Sequence, residues 1–233
     1  MADFRELTAR FRSGTGDDHS AVMVIGLGRF GSALAQELMS MGHEVLGVDV
    51  DDELVNRHKD RLTEVRTADC TEAATLTALG AADIPHAVVG IGADLEASIL
   101  TTSALSEVGV DDIWAKALTE PHRQILERVG ADHTVLPEAE TGRRVAHLVS
   151  GSALSYVAVE ENFVIIEAAV PKALVHQPLS ESQPRKSFGV TIIALRRPGG
   201  PFVHAQPDVV PQAGDIVLAA GQISDVEAFT ERS

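Results

Sequence analysis

Three glycines, Gly26, Gly28 and Gly31, stand in the spacing G-x-G-x-x-G, and a carboxylate, Asp49, closes the next strand-like run, "HEVLGVD". An apolar run, "AVMVIG", leads into the glycines and a helix-forming run, "FGSALAQELMSMG", leads out. Glycines so placed permit a tight turn, a close approach of backbone to a pyrophosphate, and close packing of helix on strand. The opening of the helix offers N–H groups and a positive dipole end to phosphate. A carboxylate at the end of the next strand accepts hydrogen bonds from ribose hydroxyls and repels a 2′-phosphate, which favours a plain adenosine ribose over NADP. Arg29 and Phe30 fill the loop between the second and third glycines. An arginine in a first helical turn is unfavourable beside the dipole. A terminal phosphate nearby would offset that cost; a solvent-facing arginine without a partner is the plain alternative.

In an open parallel sheet, ligands bind beyond the carboxyl ends of the strands, so the other strand ends supply the remaining candidates. Asp69, Cys70 and Thr71 close the third strand, and Gly90-Ile91-Gly92 closes the fourth ahead of a helix that opens at Asp94. Lys116 closes the fifth, and Pro137-Glu138 follows the sixth. Glu138 reads either as a first-turn acid complementing a helix dipole or as a ligand to a hard cation, magnesium or calcium, beside phosphates. Lys116 reads as a cation near the nucleotide or as a solvated strand-end lysine. Cys70 reads as a small packed hydrophobe rather than a reactive thiol.

Turnover has no comparable support. The nine histidines are scattered, with none paired to an acid at catalytic or metal-ligand spacing. There is no G-x-x-x-x-G-K-[ST] loop and no serine nucleophile elbow. A formal charge of −15 opposes nucleic acid as a partner. Up to residue 150 the chain carries 13 basic and 25 acidic residues, so a phosphate site there must be made locally, by backbone N–H groups and one or two placed cations. The single cysteine excludes an internal disulfide and a cysteine zinc cluster, and fits a reducing compartment. The opening stretch, "MADFRELTARFRSGTGDDHS", mixes acids with bases and contains no apolar core of a signal peptide. The longest uncharged stretch, Val145 to Val159, falls short of the roughly 18 apolar residues of a membrane span. A cytoplasmic chain without membrane insertion is the expectation.

These residues need a scaffold, and the pattern supplies one. Residues 1–20 read as a short amphipathic extension ending in the linker "SGTGDDHS". From residue 21 to 150, strand-like runs alternate with helical runs in steps of about 20 residues, which predicts an α/β domain with a Rossmann-like, doubly wound parallel sheet. Gly42, Gly80, Gly109 and Gly130 stand where helices should stop. The helix around "ETGRRVAHLVSG" leads into residues 151–233, a smaller α+β domain with five strand-like runs and a closing helix, "ISDVEAFTER".

The motifs "VIGLGRFGSALAQELMSMGHEVLGVD", "ADCTE", "VVGIGADLEASILTT", "IWAKAL" and "ERVGADHTVLPEAETGRRVA" resemble, in order and spacing, the RCK (regulator of potassium conductance) proteins. The later "RKSFGVTIIALRR" and "VPQAGDIVLAAG" resemble their C-terminal, TrkA-C-type domain. The likeness is greatest to the cytosolic gating subunits of Ktr potassium uptake systems. It runs from about Val22 almost to the end of the chain and leaves out the opening extension. It implies a regulator without enzymatic activity that binds ATP or ADP, forms dimers within an octameric ring, and docks on a membrane potassium-translocating subunit (KtrB- or TrkH-like), peripheral to the inner face of the membrane. By the family pattern Arg29 lies near the terminal phosphate, Asp49 on the ribose, Asp69 to Thr71 near the adenine, Lys116 near the nucleotide, and Glu138 on an activating divalent cation between paired nucleotides. Arg185 fits the arginine of a cyclic di-AMP site in some relatives, with Phe188 beside it, although "HQPLSESQP" departs from that pattern. Two alternatives stay open: a TrkA-type regulator that prefers NAD or NADH, and an NAD-dependent oxidoreductase.

Overall fold

A computed structural model of the chain describes residues 20–149, 154–160 and 162–231; the expected amphipathic extension lies outside them. Contacts divide the chain into residues 1–138 and residues 139–233. The division read from the sequence puts the connecting helix with the first unit; the contacts group most of it with the second.

The first unit is a six-stranded parallel sheet in the order β3-β2-β1-β4-β5-β6. Its strands are β1 (Val22–Ile25), β2 (Val45–Asp49), β3 (Glu64–Thr67), β4 (His86–Val89), β5 (Asp112–Lys116) and β6 (His133–Val135). The helices between them are α1 (Arg29–Ser40), α2 (Asp52–His58), α3 (Ala73–Ala78), α4 (Leu95–Val108) and α5 (Glu120–Arg128), and α6 (Pro137–Val149) follows. This is the doubly wound order, with its switch point between β1 and β4. All four residues of β1 are buried because the sheet is covered on both faces. Met23 and Ile25 enter one core with Leu46, Leu105 and Leu126, while Val22 and Val24 enter the other with Val45, Val55 and Leu62. The four glycines read as helix stops all have positive φ.

Side chains close three of the helix starts. Asp51 accepts from the Glu53 N–H, Asp94 from the Ala97 N–H, and Thr119 from the His122 N–H. At α1 the capping position is Gly28, which has no side chain to offer, and the first turn holds no acid. The N–H groups of the first turn have no intrahelical partners, so this helix end faces the ligand side with its donors available.

The second unit holds a five-stranded antiparallel sheet in the order β10-β9-β11-β8-β7. Its strands are β7 (Ser155–Glu160), β8 (Phe163–Ala169), β9 (Thr191–Arg196), β10 (Phe202–His204) and β11 (Ile216–Gln222). All five coincide with strand-like runs in the sequence. The short helices α7 (Leu179–Ser182) and α8 (Pro184–Phe188) precede β9, and α9 (Ile223–Thr230) closes the unit. Val164, Ile166, Val217 and Phe229 form the centre of its core. The helices α7 and α8 are not apparent in the sequence, because each is too short to establish a helical period, and α3 is marked there only by its stop at Gly80.

Candidate functional site

At the carboxyl ends of the first unit's strands lies a cleft of about 860 Å³. Gly26, Gly28, Arg29, Phe30, Asp49, Asp69, Cys70, Thr71, Gly92, Asp94, Lys116 and Glu138 all line it. Gly31 sits underneath: a Cβ on it would stand 1.8 Å from the Gly26 carbonyl oxygen. Gly28 is the reverse case. A Cβ there would meet nothing within 4 Å, so the backbone faces open cleft.

Asp49 is fixed before any ligand arrives. One carboxylate oxygen accepts from the Leu27 N–H at 2.6 Å and the other from the Asp51 N–H at 2.9 Å. The first of these bonds ties the end of β2 to the glycine loop. Asp69 accepts at 3.0 Å from the Thr71 N–H and at 2.8 Å from the Thr71 hydroxyl. These bonds hold its carboxyl below the usual carboxylate range. Cys70 is 2% exposed, and burial, with the charges of Asp69 and Asp49, pushes its thiol up to about 12. Packing is its role, in line with the sequence reading.

Lys116 is 8% exposed, and its ammonium lies 2.6 Å from the Glu138 carboxylate and 5.7 Å from the centre of the Phe30 ring. A Cβ on Gly92 would approach the ammonium to 3.0 Å; glycine makes room for the lysine here. The hydrogen bond from Lys116 leads the effects holding the Glu138 carboxyl below its ordinary range, and the charge of Arg29 adds to it. Arg29 is exposed at the edge of the cleft and makes no salt bridge among the described residues. Residues read separately in the sequence, Arg29, Phe30, Lys116 and Glu138, therefore form one cluster. No group of three or more metal-ligating side chains occurs among the described residues.

In the second unit Arg185 lines a groove of about 450 Å³ and donates from Nη2 to the Thr191 hydroxyl at 2.9 Å. Phe188 does not line that groove. It packs edge-on against Phe229 at 5.5 Å, beside the core. Its ring faces its neighbour on α9, while Arg185 faces the groove.

Residues 22–137 match the TrkA-N domain and residues 163–233 the TrkA-C domain. The chain belongs to the TrkA-N/TrkA-C family. It is 34% identical over 207 residues to the Ktr system potassium uptake protein A of Bacillus subtilis, covering 88% of this chain and 93% of that one. It is also 34% identical over 210 residues to Ktr system potassium uptake protein C of the same organism, covering 90% and 95%. In structure it resembles the GsuK channel bound to NAD, with a TM-score of 0.64 at 18% identity over 93% of this chain. The chain spans 40% of that longer protein, and the likeness establishes the fold. The RCK resemblance carried by the motifs is borne out. No helix among the described residues is long and apolar enough to cross a membrane.

Sequence reasoning missed Ala97, Thr101 and Leu118 on the cleft wall, and it missed the pairing of Lys116 with Glu138. The run "ASILTT" held a usable signal: Ser98, Thr101 and Thr102 recur at helical spacing and all are fully buried.

Proposed function

We propose that this protein is the nucleotide-binding regulatory subunit of a potassium uptake system, acting on a separate membrane subunit that carries the ion. Its relatives' names supply the transport context. The observation that carries the nucleotide part is the pairing of an uncapped helix start at Gly28 with the preset carboxylate of Asp49 in one cleft. The first suits phosphate and the second a ribose diol.

In this reading ADP and ATP share the backbone cradle and Asp49, and the γ-phosphate of ATP reaches the cluster of Arg29, Lys116 and Glu138. A phosphate competes with Glu138 for the Lys116 ammonium. The released carboxylate then joins the phosphates around a divalent cation. The nucleotide shifts the assembly only by its different affinity for two shapes, and this cluster is where ATP and ADP differ. Pairing of two copies, and a ring of such pairs, would let the shape change reach the membrane partner. A second reading, NAD or NADH as ligand, draws on the NAD-bound GsuK channel of the same fold. Binding without turnover is proposed in both cases. The groove at Arg185 supports a separate proposal of cyclic di-AMP binding by the second unit.

Calorimetric titration of nucleotide-stripped protein with ATP, ADP, NADH and cyclic di-AMP, with and without magnesium or calcium, tests this. Binding of ATP and ADP, with the cation acting on ATP alone, is the expected result. Failure of both to bind while NADH binds would replace the reading with the second.

A further inference from the structure

The helix α4 buries three hydroxyl side chains, Ser98, Thr101 and Thr102, each with no exposed surface. Thr102 is satisfied within the helix, donating to the Ser98 carbonyl at 2.8 Å. The hydroxyls of Ser98 and Thr101 have no hydrogen-bond partner among the described residues. A buried polar group left unpaired costs stability, so each orphan calls for a physical reason. The two differ in one respect: Thr101 bounds the cleft and Ser98 does not.

We propose that the Thr101 hydroxyl is a hydrogen-bond contact for the bound nucleotide, on the side of the cleft that takes its base. This rests on the nucleotide reading above. The position of Thr101 in the helix argues for the base side. Asp94 opens α4 at the mouth of the cleft, and Ala97 and Thr101 line the wall one and two turns further along, about 10 Å from the helix start. The same helix packs against α3, the helix that follows Asp69–Thr71. Gly28 and Arg29, which offer the phosphate donors, open α1 instead. The lining also includes the small side chains Ala68, Cys70 and Ala97, which leave room for a flat ring. Rotation about χ1 exchanges the methyl and hydroxyl of a helical threonine, and both orientations are allowed. Because Thr101 has no exposed surface in the empty cleft, a ligand meets its hydroxyl as the wall side chains over it yield, with no movement of the α4 backbone required. The group is kept unpaired in the empty cleft and paired in the filled one, which converts a local cost into affinity.

Three variants test the assignment: Thr101→Val, which keeps the shape and removes the hydroxyl, Thr101→Ser, which keeps the hydroxyl, and Ser98→Ala. Each is titrated with ADP and, by competition, with adenosine, and each is melted without ligand. The wild-type titration with ADP comes first, and its failure would sink the nucleotide reading itself. Given wild-type binding, Thr101→Val is expected to weaken ADP by about five- to tenfold, the worth of one hydrogen bond, and to weaken adenosine by the same factor. Its ligand-free melting temperature should stay level or rise, since an unpaired group has been removed. Thr101→Ser and Ser98→Ala should bind like the wild type. Unchanged ADP affinity in Thr101→Val would overturn the proposal, as would a lower melting temperature with unchanged affinity. A penalty on ADP that is absent for adenosine would move the contact to the phosphates and overturn the base-side assignment.

Discussion

The interior of the first unit holds His58, Ser98, Thr101, Thr102, Lys116 and His122, whereas among the described residues of the second unit only Asp215 is a buried polar or charged side chain. Asp215 is satisfied locally, accepting from the Gln212 N–H at 2.8 Å. The first unit is less comfortable. Nδ1 of His58, Nε2 of His122 and the hydroxyls of Ser98 and Thr101 are buried without partners, against the Ser182 hydroxyl alone among the described residues of the second unit. Unpaired buried groups are destabilising, and proteins tolerate such conflicts where function requires them. The lesson is a division of labour. One unit carries four unpaired polar groups in its interior, of which Thr101 alone bounds the cleft, while the other builds an almost wholly apolar interior among the described residues.

The largest effect should come from closing the glycine turn. Gly31→Ala drives a Cβ to 1.8 Å from the Gly26 carbonyl, backbone against backbone. A loss of about 3 kcal/mol or more is expected, as for severe overpacking, together with loss of nucleotide binding. Gly189→Ala is the partner experiment in the second unit. Its φ is +72° and its Cβ would meet the Asp225 carboxylate at 2.4 Å, but that side chain can swing away. The cost should be nearer the 1–2 kcal/mol of a left-handed alanine, roughly, with ADP affinity unchanged. Equal losses in urea titrations would break the contrast between a fixed cradle and an adjustable turn.

Ligand comes next. At ADP a hundredfold above its dissociation constant, the first unit should gain about 2.7 kcal/mol. Calorimetry should then show the transition of that unit moving upward, with the second unit's transition unmoved. A uniform shift of both would mean that the units do not melt separately.

The outline of this division was legible in the sequence, and the tension inside the first unit was not. The glycines, Asp49 and the alternating apolar runs name the scaffold and two parts of the cleft wall, because those features depend on local backbone geometry. Lys116 and Glu138 each stood in the sequence as a strand-end or helix-start charge. Their ion pair depends on the ends of β5 and β6 lying side by side, where Lys116 pairs with Val135; spacing along the chain does not reveal that. The orphan hydroxyl of Thr101 was hidden for a related reason: whether a helical threonine satisfies itself, as Thr102 does, depends on side-chain rotation within the packed fold. The contact of Phe188 with Phe229, on the closing helix α9, was likewise hidden, because it joins two helices far apart in the chain.

Acid should weaken the first unit selectively. Burial lowers the pKa of His58 below 6.5, aided by Arg61 and Arg57, and burial alone lowers that of His122. Both are neutral in the fold, and the unfolded chain takes up their protons first. Their contribution is complete above about pH 6.5 and declines as pH falls from there toward the lower folded values. His58 also donates to the Ser32 hydroxyl at 3.0 Å, which in turn donates to the Leu27 carbonyl. Chemical denaturation at pH 7.5 and pH 5.5 should show the first unit weakened at the lower pH and the second nearly unchanged. His58→Gln should flatten part of the difference; no flattening with either His58→Gln or His122→Gln would remove histidine burial as its cause.

The smallest signal is a reactivity that should be almost absent, and it reads the first unit alone. Cys70 is the only cysteine in the chain. With its thiol pushed up to about 12, roughly one molecule in ten thousand carries the nucleophilic thiolate at pH 8. Alkylation by iodoacetamide should therefore be slow in the folded protein and ordinary after unfolding in urea. Its rate in native buffer then measures how often this part of the cleft opens. ADP should slow it further, since a ligand lying against Asp69 and Thr71 must leave before the wall beside it can open. Fast labelling of the folded protein would show that burial at the end of β3 is not maintained in solution, and the cleft would then lack the rigid wall on which its preset geometry depends.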